Sequence, residues 1–181
     1  MAIERIDGAG WPRTLAAGLA LRRAREVDQP FLFRVYAATR AEELAPVPWP
    51  EPQKAAFLAM QAHAQHADYA RNYPQAGRFV IERNGAGIGR LYLDRRGVAD
   101  HVLDIALLPA ARGQGFGGAL LEDLIEAAGA AGRLVSIYVE RMNPARRLYT
   151  RLGFRVVEEG EVYDLMHRPP GTESTAQENT G

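Results

Sequence analysis

The run R-G-Q-G-F-G-G from Arg112 to Gly118 is the part of this chain whose residue types and spacing most directly imply chemistry. It sits between an apolar, strand-like segment and an amphipathic, helix-like one. A strand that stops, a loop with little side-chain bulk and a helix whose first N–H groups lack intrahelical acceptors together make an anion pocket. The helix dipole adds positive potential at the same point. The run therefore reads as a phosphate-binding turn, and the functional question becomes which phosphorylated molecule it holds.

The elements that must position this turn alternate along the chain. Leu19 to Arg25 reads as a half-buried strand, and Asp28 as the N-cap of a helix from about Gln29 to Thr39. The loop A-P-V-P-W-P, Ala45 to Pro50, breaks that helix, and a second runs from about Pro52 to Arg71. Arg78 to Arg83, Gly87 to Asp94 and Val98 to Leu108 read as three consecutive strands, the first two joined at the hairpin turn Asn84-Gly85. Phe116 to Ala131 puts Leu120, Leu121, Leu124, Ile125 and Ala128 on one helical face, closed by Gly132. A strand over Arg133 to Val139 follows, then a helix capped by Asn143-Pro144 and ending before Gly153, and strands at Val156 to Val157 and Glu161 to Met166.

With 181 residues, 47% of them hydrophobic, the chain has the length of one domain with one core. Lys plus Arg and Asp plus Glu number 22 each, so no global field favours nucleic acid or an anionic membrane as partner. The absence of cysteine excludes disulfides, zinc thiolates and a covalent thioester intermediate. No secretory signal or membrane-spanning run is visible, which points to the cytoplasm. The polar segment 169–181 reads as a disordered tail and 1–18 as an N-terminal extension, leaving 19–168 as the domain.

Three chemistries use such a glycine loop. A P-loop needs G-K-[ST] after its glycines, which the chain lacks. The dinucleotide fingerprint G-x-G-x-x-G is present as Gly113, Gly115 and Gly118, with Glu140 placed as a ribose-binding acid. Against it, Pro109 to Arg112 intervene between strand and glycines, and only about 55 residues remain after the loop to complete a doubly wound sheet. The third is acyl transfer from coenzyme A.

Here the chain resembles the GCN5-related N-acetyltransferase (GNAT) family. Its signature [QR]-x-x-G-x-[GA] appears as Arg112, Gly115 and Gly117, preceded by I-A-L-L-P at Ile105 to Pro109. Its second, an A-x-x-L-Y-x-x-x-G-F-like element, appears as Ala145, Leu148, Tyr149, Gly153 and Phe154. The resemblance extends from about Leu19 to Met166. It implies a single α+β domain with a mixed, mostly antiparallel sheet of six to seven strands, flanked by about four helices. A splayed parallel pair, Val98 to Leu108 and Arg133 to Val139, would form the cofactor cleft.

The resemblance further implies acetyl-CoA as cosubstrate and no metal. Its diphosphate would lie on the backbone of Arg112, Gly113, Gln114, Gly115, Phe116, Gly117 and Gly118, with the Arg112 cation nearby. Its pantetheine would lie along Leu107 and Leu108, bound through their backbone groups. Tyr149 is then the general acid for the departing thiolate, and the amide of Leu107 or a neighbour polarises the carbonyl. Many relatives carry an asparagine seven residues before the tyrosine; here that position is Met142, and Asn143, one residue on, is the candidate for cofactor contact or helix capping.

For the general base, Asp104 ranks ahead of Asp100, His101 and Glu82, because an acid inside the apolar L-D-I-A-L-L needs a reason to be there. Arg146 and Arg147 read as solvated rather than as phosphate ligands. By resemblance, acceptor specificity lies in about Arg40 to Pro52 and Glu158 to Tyr163, where Trp49, Glu42, Glu43 and Glu51 are candidates to receive a cationic amine. His63, His66, Tyr69 and Tyr73 form no metal constellation by their spacing. The expected activity is direct transfer to a primary amine of a small molecule or protein. A non-catalytic acyl-CoA-binding module is the alternative, and a homodimer is left open.

Overall fold

The computed structural model describes residues 11–171. The expected tail beyond residue 171 and the first ten residues of the expected extension lie outside the described residues. The elements run α1 (Pro12–Ala16), β1 (Leu19–Arg23), α2 (Gln29–Leu44), α3 (Glu51–Asn72), β2 (Gly77–Arg83), β3 (Ala86–Arg96), β4 (Ala99–Leu107), α4 (Phe116–Ala130), β5 (Leu134–Glu140), α5 (Arg146–Arg151), β6 (Arg155–Glu158) and β7 (Tyr163–Arg168). They build one seven-stranded sheet in the order β1-β2-β3-β4-β5-β7-β6. Every neighbouring pair is antiparallel except β4 with β5. A doubly wound parallel sheet is thereby excluded, and with it the dinucleotide reading of the glycine loop.

Local chemistry explains most boundaries. Asn84 and Gly85 take φ values of 51° and 77°, the paired positive values of a tight hairpin turn. At the end of α4 the Arg133 N–H donates to Ala128 and the Gly132 N–H to Gly129, closing the helix. Helix α2 continues past Thr39 to Leu44, because Thr39 to Leu44 contains no breaker and Pro46 is the first residue that cannot continue it. Asp28 stands at the N-cap position without capping. Its carboxylate instead accepts both guanidinium nitrogens of Arg22 and the Arg25 N–H, and it is held at a pKa of about 2 first by Arg22.

The two faces of the sheet differ. On one, Leu120, Leu121, Leu124 and Ala128 of α4 pack on Ile81, Leu91, Leu93, Val102, Val135 and Ile137. Each such leucine contributes about 1.5–3 kcal/mol on burial. Ahead of the first expected strand, buried Trp11 and α1 close this layer, with Asp123 of α4 accepting the N–H groups of Arg13 and Thr14. The other face is covered by α2 and α3 through Leu32, Val35, Tyr36 and Ala62, and it buries polar residues, Arg90, Asp94 and Ser136 among them.

Two irregularities shape β4. Its pairing with β3 shifts at Leu103, since Tyr92 opposes Asp104 while Leu93 opposes Val102. This one-residue bulge turns Asp104 onto the α2/α3 face. Its pairing with β5 stops at Val102↔Ile137. Beyond that point β5 stays with β7 through Glu140↔Tyr163, while β4 stays with β3 through Leu107↔Gly89. The two strands part.

Gly89 permits this arrangement sterically. A Cβ there would lie 2.3 Å from the Ala106 carbonyl oxygen and 2.7 Å from the Leu107 side chain. Because backbone cannot yield as a flexible side chain does, Gly89→Ala is expected to destabilise the protein by about 2–3 kcal/mol. Urea denaturation of the two proteins checks this; equal midpoints would show that β3 and β4 are not so tightly apposed.

Candidate active site

The parted strands make a cleft edged by the backbone of β4. Leu108 donates its N–H to Ile88, and its carbonyl accepts from Ala111. Alternation along the antiparallel ladder then turns the backbone groups of Ile105 and Leu107 toward the open edge. The Leu107 carbonyl is taken there by Arg112 Nε at 2.9 Å. The Leu107 N–H remains as a donor facing the cleft, among the described residues.

At the end of β4, a short 3-10 turn over Pro109–Ala111 leads into the glycine run. Gly113 and Gly115 have φ of 72° and 81°, a left-handed conformation that side chains resist, and a Cβ on either would meet nothing within 4 Å. Gly115 is the N-cap of α4 and supplies no side-chain cap. The first turn-closing bond of the helix is Ala119 N–H to Gly115, and the N–H groups of residues 113–118 find no acceptor among the described residues. The result is an open loop with a run of unsatisfied backbone donors at a helix start, which is what an anion site requires.

The side chains of this loop have other tasks. The Arg112 guanidinium, expected near phosphate, donates to the carbonyls of Leu107 and, at 3.1 Å, Ala38 of α2. Gln114 donates to Ala110 and accepts from Arg83. Phe116 is buried in the core beneath Arg83, whose guanidinium lies 4.7 Å from its ring centre. What the run offers a ligand is therefore backbone, as the glycine pattern implies.

Tyr149 of α5 has only 5% of its surface exposed and packs edge-on against Phe154 at 5.7 Å. Its hydroxyl has no hydrogen-bond partner among the described residues, yet it is not one of the sealed, unpartnered polar atoms. The ring is thus core, and the hydroxyl is left unpartnered among the described residues. Burial, followed by the charge of Asp104, pushes its pKa up to about 12, so the phenol keeps its proton.

Of the acids proposed as base, Asp104 alone lies in the parted segment of β4. Its carboxylate is bonded to the buried Arg90. Burial pushes its pKa up, opposed by the charge and hydrogen bond of Arg90 and by Arg40. Asp100 is gripped by Arg95 and Arg133 at the closed end of the β4–β5 pair, and Glu82 by Arg22 on the neighbouring strand. His101 is paired with Ser136 through Nδ1 at 2.5 Å, before the strands part.

The other candidates divide similarly. Asn143 is exposed, and its side chain accepts the Ala145 N–H two residues on, forming a turn ahead of α5 rather than capping the helix itself. Arg146 is paired with Asp164, and Arg147 is exposed. Trp49 stands edge-on to Phe57, His63 edge-on to Phe33, and Glu51 pairs with Lys54. Glu43 shares Arg40 with Glu140 at the end of β5, where Tyr163 also donates to Glu140. No group of metal-binding side chains occurs among the described residues.

Sequence reasoning missed three contributors: Arg90, Tyr69 and the Arg40–Glu140 pair. Tyr69 donates to the Leu103 carbonyl at the bulge. A signal for Arg90 existed. It and Asp104 are opposite charges at inward positions of adjacent strands, one diagonal apart in the hairpin register.

Comparison with known proteins agrees with this geometry. Residues 74–156 match the model of the acetyltransferase (GNAT) domain. Among solved structures, the PaiA N-acetyltransferase of Thermoplasma acidophilum, determined in complex with coenzyme A, is 16% identical with a TM-score of 0.64, covering 83% of this chain and 98% of its own. An acetyltransferase from Thermus thermophilus is 22% identical with a TM-score of 0.61, covering 83% and 96%. The ribosomal-protein-S18-alanine N-acetyltransferase of Escherichia coli is 19% identical with a TM-score of 0.57, covering 90% and 99%. Comparison with the curated proteins finds no match.

The elevated pKa of Tyr149 has a direct spectroscopic consequence. In an ultraviolet titration, the difference between wild type and Tyr149→Phe should show no tyrosinate below about pH 10 and should develop toward about 12. A signal near the ordinary tyrosine range would show that the phenol is solvated.

Proposed function

We propose that this chain, which has the GNAT acetyltransferase fold and carries that domain over residues 74–156, transfers the acetyl group of acetyl-CoA directly to a primary amine. The observation that carries the reading is the run of unsatisfied N–H groups at residues 113–118, following a strand that parts from its neighbour. Its left-handed glycines leave open the space that side chains would fill, which suits a diphosphate. Leu107 offers a backbone donor to the thioester carbonyl.

In this reading the amine nitrogen forms the new C–N bond and the C–S bond breaks. Tyr149 gives its proton to the leaving sulfur, and Asp104 receives a proton from the attacking amine directly or through water. A phenol held at a pKa of about 12 stays protonated throughout the neutral range and so has a proton to donate as the C–S bond breaks. Chain residues Leu107, Tyr149 and Asp104 thus act on the carbonyl, the leaving group and the nucleophile in turn.

Two measurements test this. Gly115→Glu should abolish coenzyme A binding in calorimetry, through bulk, like charge and the strained φ of 81°; unchanged affinity would sink the phosphate assignment. Tyr149→Phe should lower kcat for acetyl transfer by about 10²-fold with little change in coenzyme A affinity. A normal kcat would give the proton to another group, and tight binding without thiol release across a panel of amines would favour a binding module.

A further inference from the structure

Arg90 is in the centre of the sheet, on β3, with 4% of its surface exposed. Burying a guanidinium is costly unless its partners are good, and a position this deep is rare for arginine. Its Nη2 donates to Asp104 and, at 2.9 Å, to Gln65 of α3. Its Nη1 reaches the Leu32 carbonyl of α2 at 3.5 Å, and the rings of Tyr36 and Tyr92 lie 5.7 and 5.1 Å from its centre. Both covering helices and its own strand therefore fix it in place.

Its charged partner is correspondingly constrained. The Asp104 side chain is 14% exposed and lies one residue past the bulge in the β3–β4 pairing, in the stretch of β4 that no longer pairs with β5. Tyr69 holds the carbonyl of the preceding Leu103, so the bulged backbone and the carboxylate are pinned from the same side. No other side chain is hydrogen-bonded to Asp104 among the described residues.

We infer that Arg90 is the positioning residue of this site: it touches neither substrate nor cofactor, but fixes the Asp104 carboxylate on the α2/α3 side of the cleft where an amine can reach it. This rests on the functional reading above, in which Asp104 is the base. The charged and titratable groups around that carboxylate are Arg90 and Tyr92 of β3, Arg40 of α2, Tyr69 of α3 and Tyr149 of α5. Arg90 is the one cation bonded to it among the described residues; Arg40 acts on it through its charge, and the tyrosines are neutral at physiological pH. Without Arg90, burial would act on the carboxylate nearly unopposed and favour its protonated form.

The test compares wild type, Arg90→Lys, Arg90→Met and Asp104→Asn as full chains. The direct readout is the carboxyl titration of Asp104 by carbon NMR, assigned by its loss in Asp104→Asn. The Asp104 midpoint should rise by about one pH unit or more in Arg90→Met and by less in Arg90→Lys. The acidic limb of kcat/KM should move up in parallel, lowering kcat/KM by about 10-fold or more at pH values below both midpoints, while coenzyme A affinity stays unchanged. Arg90→Met/Asp104→Asn should be no slower than Asp104→Asn alone.

A role confined to stability predicts something else: a lower unfolding midpoint with the Asp104 titration and the acidic limb unmoved. That result, in either folded arginine variant, would overturn the inference. Should Arg90→Met fail to fold, Arg90→Lys decides by the same two readouts. Should wild type show no acetyl transfer, the functional reading falls on that observation, and the NMR titration still decides whether Arg90 sets the state of Asp104.

Discussion

The structure turns on the point at which β4 and β5 stop pairing, Val102 opposite Ile137. An interruption inside a sheet exposes backbone donors and acceptors that elsewhere would be satisfied, and a folded protein tolerates it only where each strand keeps its other neighbour. Here β4 remains bonded to β3 through Leu107, and β5 to β7 through Glu140. The gap therefore opens between two intact half-sheets. It presents the outward backbone of β4 to whatever enters, in the manner of an unpaired sheet edge that accepts an added strand.

The two faces of the sheet divide the remaining work. The α1/α4 face is apolar and closely packed, and it anchors the helix whose N-terminus carries the glycine loop. Rigid anchoring there matters because an anion site made of backbone N–H groups is only as well formed as the helix start that aims them. The α2/α3 face instead buries Arg90, Asp94 and Ser136, with Asp104 close by. A buried ion pair contributes little net stability compared with apolar residues of similar size. The Arg90–Asp104 pair is better understood as defining one arrangement of the cleft wall than as strengthening the fold.

What is legible in the sequence follows from how local each determinant is. The loop from Arg112 to Gly118 can be read because left-handed glycines, a free helix start and the absence of side-chain bulk are properties of neighbouring residues. The meander is legible in three consecutive strand patterns and the Asn84-Gly85 turn, the parallel pair comes with the resemblance, and the sheet order agrees with both. The task of the Arg112 side chain escapes such a reading because its acceptors include Ala38, 74 positions away in sequence. Asn143 has the pattern of a helix cap, but its side chain accepts the N–H of Ala145, the residue just before α5 begins. Asp104 stands out as an acid among apolar residues, while the residue that satisfies it lies on another strand and does not. Local conformation is visible in the sequence; side-chain partnership across the sheet is not.

Helix α2 shows why that distinction matters for the cleft. Within one turn, the Ala38 carbonyl accepts from Arg112, which also holds the Leu107 carbonyl at the end of β4. Two residues on, Arg40 reaches Glu140 at the end of β5, where Tyr163 of β7 donates to the same oxygen. One helix thus touches both arms of the parted pair at their open ends. A helix is stiff over so short a span, with a rise of about 1.5 Å per residue, so these contacts couple the separation of the arms to the seating of α2. Ion pairs at partly exposed positions are individually weak, and the bond to β4 is a neutral-acceptor hydrogen bond. The bridge is therefore a restraint that a small change in α2 can alter, whereas the sheet pairing that first creates the gap is held by the whole core. The opening between the strands is set by β-strand register, and its two ends are tied to one helix, through Arg112 to Ala38 and through Glu140 to Arg40.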